Sequence, residues 1–173
     1  MNNFEIEIIP TEGITFGGTR ILLGNSKAKV EAALGAPERV KNSFYYFDNE
    51  LRFDFDGDGK VEFIEFLGGI DGNLKPRIYG ISAFDSLDDV LYGTLLEHNG
   101  KEIINNENGH GYSFCNISVG IWREMTRRDI EETLSEMKQE GIPFEEYREL
   151  ENDKRKAFHW ATVGIGRKGY YNG

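Results

Sequence analysis

A single cysteine, Cys115, stands in a chain of 173 residues. That excludes an intrachain disulfide and any zinc centre built on several thiolates. With no placed histidine beside it, Cys115 reads as a small apolar strand residue rather than a nucleophile. Long apolar runs are also missing: nothing approaches the ~18 consecutive apolar residues that cross a bilayer. The opening MNNFEIEIIP has neither the basic end nor the apolar stretch of a secretion signal. The expectation is a cytoplasmic protein without a membrane partner. Positive charge is scarce as well, with 20 Lys and Arg against 30 Asp and Glu, a formal charge of −10. Such a chain repels nucleic acid backbones and attracts basic partners.

What is present is core-forming material. Apolar residues make up 39% and aromatic residues 13%, too much for a disordered chain and enough for a single domain over residues 1–173. A strand is predicted over Phe4 to Ile9. GNSKAKVEAALGAP then reads as a short helix, capped by Asn25 or Ser26, apolar at Val30, Ala33 and Leu34, and stopped by Gly35 and Pro37. SFYYF and LRFDF follow around a turn at Asp48-Asn49. In LRFDF, Leu51, Phe53 and Phe55 alternate with Arg52, Asp54 and Asp56, the period of a half-buried strand. KVEFIEF is its expected antiparallel partner across the DGDG turn.

A similar series starts near Arg77. FDSLDDVLYGTLLEHNG is predicted helical, with Asp85 or Ser86 as cap and Leu87, Val90, Leu91 and Leu95 as its apolar face. KEIINNE, GYSFC and ISVGIWRE are strand-like. Ser26 and Val30 match Ser86 and Val90 at a shift of 60, Phe53 matches Phe114 at 61, and Val61 and Phe63 match Val119 and Ile121 at 58. Two diverged copies are therefore expected, about 11–70 and 77–124, each a helix followed by three strands. Residues 125–173 are expected to add helices and a final strand: TRRDIEETLSEMKQEG with Thr126 and Asp129 at its start, PFEEYRELENDKRKAF opened by Pro143, and HWATVGIG. The fold class is α+β, with one curved antiparallel sheet.

DFDGDGKVEFIE, residues 54–65, places Asp54, Asp56, Asp58, Gly59, Val61 and Glu65 at the positions of an EF-hand calcium loop. The helices that clamp such a loop are poorly supplied. An exiting helix would meet Gly68-Gly69 within two turns, and the second copy, between Phe114 and Val119, has four residues and no acid. The stretch is therefore expected to be a hairpin; calcium held by Asp54, Asp56, Asp58 and Glu65 is the alternative. Residues 44–71 carry eight acids and two bases, so the hairpin sits in the most acidic part of the chain. GIGRKG (164–169) matches a dinucleotide-binding fingerprint, but the helix and strand that must follow it are missing, and a short flexible strand end accounts for its glycines. His98, His110 and His159 have no cluster spacing, so no catalytic residue is assigned; an enzyme with an unrecognised active site is a further alternative.

Gly24, Leu34-Gly35-x-Pro37, Tyr45-Tyr46 and Gly59-Lys60-Val61 together make the first copy resemble the modules of beta-lactamase inhibitory protein and of the small lipoprotein of the outer-membrane barrel-assembly machinery. The resemblance covers about 55 residues well and 78–124 loosely. It implies a non-catalytic module, often tandem, that presents a sheet face to another protein. An acidic cytoplasmic chain of this kind looks like a bacterial immunity protein that neutralises a basic toxin domain. The expected contacts are Asp54, Asp56, Asp58 and Glu62, with Trp122 either a partner anchor or simply core packing.

Overall fold

The computed structural model describes residues 4–105 and 107–172. Among the described residues the order is β1 (Ile6–Ile9), β2 (Gly13–Phe16), β3 (Thr19–Leu22), α1 (Lys27–Leu34), β4 (Glu38–Val40), β5 (Ser43–Tyr46), β6 (Leu51–Phe55) and β7 (Val61–Phe66). It continues with β8 (Arg77–Ile78), β9 (Ile81–Ser82), α2 (Asp88–His98), β10 (Ile104–Asn105), β11 (Gly111–Phe114), β12 (Val119–Trp122), α3 (Arg127–Gln139), α4 (Phe144–Asp153) and β13 (Thr162–Gly166). The class is α+β. Five strands form a small sheet in the order β3-β2-β1-β8-β9, with β1 and β8 parallel. Eight antiparallel strands form the main sheet in the order β10-β11-β12-β13-β7-β6-β5-β4.

That order is a palindrome of two four-strand meanders joined where β13 meets β7. Each half therefore holds one strand more than the sequence pattern suggests. β4 was not read as a strand, and β13, far along the chain, is the fourth strand of the second half. The topological partner of β6 is β12, not β11, so the match of Phe53 with Phe114 was one strand out of phase. The loop equivalent to the acidic β6–β7 turn is not the short turn after Phe114. It is the whole segment from Arg123 to Ala161 that carries α3 and α4. The expected hairpin is present, β6 and β7 pairing antiparallel from Leu51↔Phe66 to Phe55↔Val61, but the turn after Phe114 is not its counterpart.

Side-chain alternation gives the sheet two faces. Phe44, Phe53, Ile64, Ile165, Val119 and Phe114 follow one another across six strands in direct register, and none is more than 3% exposed. Each such large apolar side chain contributes roughly 1.5–3 kcal/mol by leaving water. Tyr46, Leu51, Phe66, Val163, Ile121 and Tyr112 make the parallel row. Val30 of α1, Leu91 and Leu95 of α2, and Ile6, Ile8 and Ile14 of the small sheet join the same core.

Helix ends follow capping chemistry in two cases and depart from it in a third. Ser26 Oγ accepts from Lys29 N at 3.2 Å to start α1, and Thr126 with Asp129 forms a reciprocal capping box on α3. Neither Asp85 nor Ser86 caps α2; the cap position is Leu87, which offers no side-chain acceptor. The expected apolar face shifts with it: Leu91 and Leu95 are buried, whereas Leu87 and Val90 are 47% and 46% exposed.

In place of that cap, α2 is fastened by Asp88, a buried carboxylate in its first turn. Arg123 and Arg127 both bond to it, Arg123 lying over the Trp160 ring at 4.3 Å and Arg127 over Phe158 at 4.2 Å. Trp160 Nε1 donates to the Asp88 carbonyl at 2.9 Å. This cluster ties the α3–α4 excursion, which has its own small core around Ile130, Leu134 and Ala157, to the rest of the molecule.

Candidate functional site on the second face of the main sheet

The other face of the main sheet carries a single row of residues in direct register across all eight strands: Glu38, Tyr45, Arg52, Glu65, Gly164, Gly120, Ser113 and Ile104. Its first half is charged and bulky. Arg52 lies 3.2 Å from Asp54 and 3.6 Å from Glu65, with its guanidinium 5.6 Å over the Phe63 ring. Burial pushes the Glu65 carboxyl above the usual carboxylate range, and Arg52 only partly opposes it. Asp54 also accepts from Ser43 Oγ at 2.6 Å.

The second half is paved with glycine and roofed by the segment after β13. Tyr170–Asn172 forms a 3-10 turn that lays Tyr170 on Phe63, with ring centroids 4.8 Å apart and nearly parallel. Tyr171 lies against the strands, its phenol within 3.5 Å of the Gly164 carbonyl and its pKa pushed up by burial. A Cβ on Gly120 would come within 2.4 Å of the Tyr171 phenol oxygen. One on Gly164 would come within 2.4 Å of Phe63, and one on Gly166 within 2.4 Å of Tyr170. Gly120 sits inside β12 and Gly164 inside β13, while Gly166 closes β13; for Gly164 and Gly166 the packed rings, not strand-end flexibility, account for the glycines. They are small because aromatic rings lie on them.

Between the glycine floor and the aromatic side chains is a cavity of about 260 Å³, lined among others by Arg52, Glu65, Glu107, Trp122, Thr162 and Tyr171. Trp122 is 39% exposed there, and its Nε1 donates to Glu107 Oε2 at 2.8 Å. The core-packing expectation for Trp122 is thereby overturned. The alternation held the signal: with Val119 and Ile121 turned to the core, Gly120 and Trp122 must face the other way.

The acidic hairpin uses its own carboxylates. Asp56 Oδ1 accepts from the backbone N–H groups of Asp58 and Lys60, each at 2.9 Å, and its other oxygen binds Arg167. The Lys60 amide first, and then Arg167, holds the Asp56 pKa below the usual aspartate range. Glu62 stands 3.8 Å from Arg167, and Asp58 is exposed at the tip. Of the ligand set of the calcium alternative, Asp54 and Glu65 pair with Arg52, Asp56 binds Arg167 and the turn amides, and Asp58 is exposed at the tip. Among the described residues no three His, Cys, Asp or Glu side chains are grouped to hold a metal ion.

The remaining candidates are dispersed. Cys115 lies in the β11–β12 turn rather than in a strand, with its Sγ 3.6 Å from the Tyr171 carbonyl. His98 stacks on Tyr79, His110 Nε2 is 3.3 Å from Asp129, and buried His159 sits 2.8 Å from the Phe84 carbonyl. Sequence reasoning missed Arg167, Tyr170 and Tyr171. Their only local trace is the alternation of Val163 and Ile165 with glycines on β13, which leaves a face for something else to cover. The fold and this face define an α+β protein whose main sheet is buried on one side and, on the other, covered in part by Tyr170 and Tyr171 and open beside Trp122. No protein-family model, curated protein or solved structure matches the chain. No helix among the described residues is long and apolar enough to cross a membrane.

Proposed function

We propose that this chain is a non-catalytic protein-binding module, a cytoplasmic immunity or inhibitor protein that neutralises a basic toxin domain by docking the second face of its main sheet onto it. The observation that carries this reading is the accessible indole of Trp122 on a face also bearing Glu38, Asp54, Glu65 and Glu107. Aromatic side chains of this kind are the residues that anchor interfaces, and carboxylates around them select and steer basic partners. The formal charge of −10 acts in the same direction over longer range.

The test is capture of the product of the neighbouring gene by the tagged full chain, followed by association kinetics at several salt concentrations. A tight complex whose association slows steeply with salt, and whose toxic activity is suppressed, is the expected result. A neighbour that is neither bound nor toxic removes the proposal.

A further inference from the structure

We infer that the trough between Trp122 and Tyr171 is a receptor for one cationic side chain, an arginine or lysine, presented by the docking partner. This rests on the protein-binding reading above and specifies what that face recognises. The cavity, about 260 Å³, falls below the roughly 300–1,000 Å³ of small-molecule and cofactor sites. It is sized for a side chain. Gly111 and Gly120 lie in its lining; Tyr171 already packs against Gly120 and Phe63 against Gly164, so an incoming group meets aromatic rings rather than bare backbone. The equivalent positions in the other half of the sheet are Arg52, for Gly120, and Glu65, for Gly164, which carry long side chains where the second half has none.

Charge selects the occupant. Glu65 and Glu107 line the trough with a single guanidinium, Arg52, so two negative charges against one positive leave a formal −1 around it. An incoming carboxylate meets that excess, and a neutral group leaves it uncompensated. A cation relieves it and also finds aromatic side chains, the surroundings that guanidinium and ammonium groups favour. The bond from Trp122 to Glu107 holds the indole and a carboxylate together at the cavity, so aromatic and ionic recognition act on the same incoming group.

The experiment is an NMR titration of the full ¹⁵N-labelled chain with tri-arginine amide, and in parallel with tri-citrulline amide, a neutral isostere. The Trp122 indole N–H and the Gly111 and Gly120 amides report the trough; buried Trp160 is the internal control. Saturable shifts at the trough with the arginine peptide, weaker by about tenfold or more with citrulline and in Trp122→Ala and Glu65→Gln, are expected. Equal responses to both peptides overturn the inference. So do shifts confined to the hairpin at Asp56–Lys60, or unchanged binding by a Trp122→Ala variant with a normal melting temperature. The two proposals fail separately: a partner captured equally by wild type and Trp122→Ala removes the trough and keeps protein binding. Peptide binding without any protein partner does the reverse.

Discussion

On the core side the two halves of the main sheet are alike: Phe44, Phe53 and Ile64 of one continue into Ile165, Val119 and Phe114 of the other, all buried. On the opposite side Glu38, Tyr45, Arg52 and Glu65 continue into Gly164, Gly120, Ser113 and Ile104. One half fills its outer surface with its own long side chains. The other leaves it bare and borrows Tyr170 and Tyr171 from further along the chain. Shared core rows thus define the architecture, whereas the unlike outer rows define where a partner could be read.

Breaking the shared row should cost most. Phe53→Ala, at a fully buried central position, is expected to lower stability by about 3–5 kcal/mol in urea unfolding. Next comes Asp88→Ala, which strands two arginines beside Trp160 and Phe158. Because the Arg127 side chain is 34% exposed, a loss of about 3 kcal/mol, at the lower end for a broken buried pair, is expected from the same measurement. Gly164→Ala tests the borrowed roof directly. It should cost about 1–3 kcal/mol by overpacking against Phe63, and a Tyr171 ring whose NMR environment stayed unchanged would show that the roof does not depend on that floor.

Trp122→Ala should change stability by less than about 1 kcal/mol, since the indole is partly in water and outside the core rows. Its expected loss is in capture of the partner. The smallest effect concerns the ionic tie between the halves. Asp56 has a lowered pKa, so its contribution is present above the ordinary aspartate range and is lost as pH falls through the lowered value. Arg167→Ala should raise the Asp56 pKa towards ordinary, measured by side-chain NMR titration, while the Lys60 amide keeps it from rising all the way.

Much of this was legible where the signal was local. The alternation of Leu51, Phe53 and Phe55 gave β6, Ser26 and Gly35 bounded α1, and Thr126 with Asp129 opened α3. α2 was placed but rotated, because Ser86 looked like a cap while a buried Asp88 held by arginines far along the chain decides where that helix faces. The central position of β13 had no local trace, since strand neighbours separated by about a hundred residues are chosen by the whole sheet. Gly164 and Gly166 were misread for a related reason: a glycine does not show which ring lies on it. Trp122 was different. Its exposure followed from the phase of its own strand, and only the general habit of tryptophan to be buried argued otherwise.

The seam between β7 and β13 also sets an order in time. During synthesis β7 emerges long before β13, so the first meander must wait with its Val61–Phe66 edge unpaired while α2, five more strands and α3–α4 are made. An open apolar edge invites pairing with other chains, and contacts this distant in sequence close slowly. The α3–α4 excursion, clamped onto α2 through Asp88, can shorten that wait by holding the chain near the place where β13 must enter.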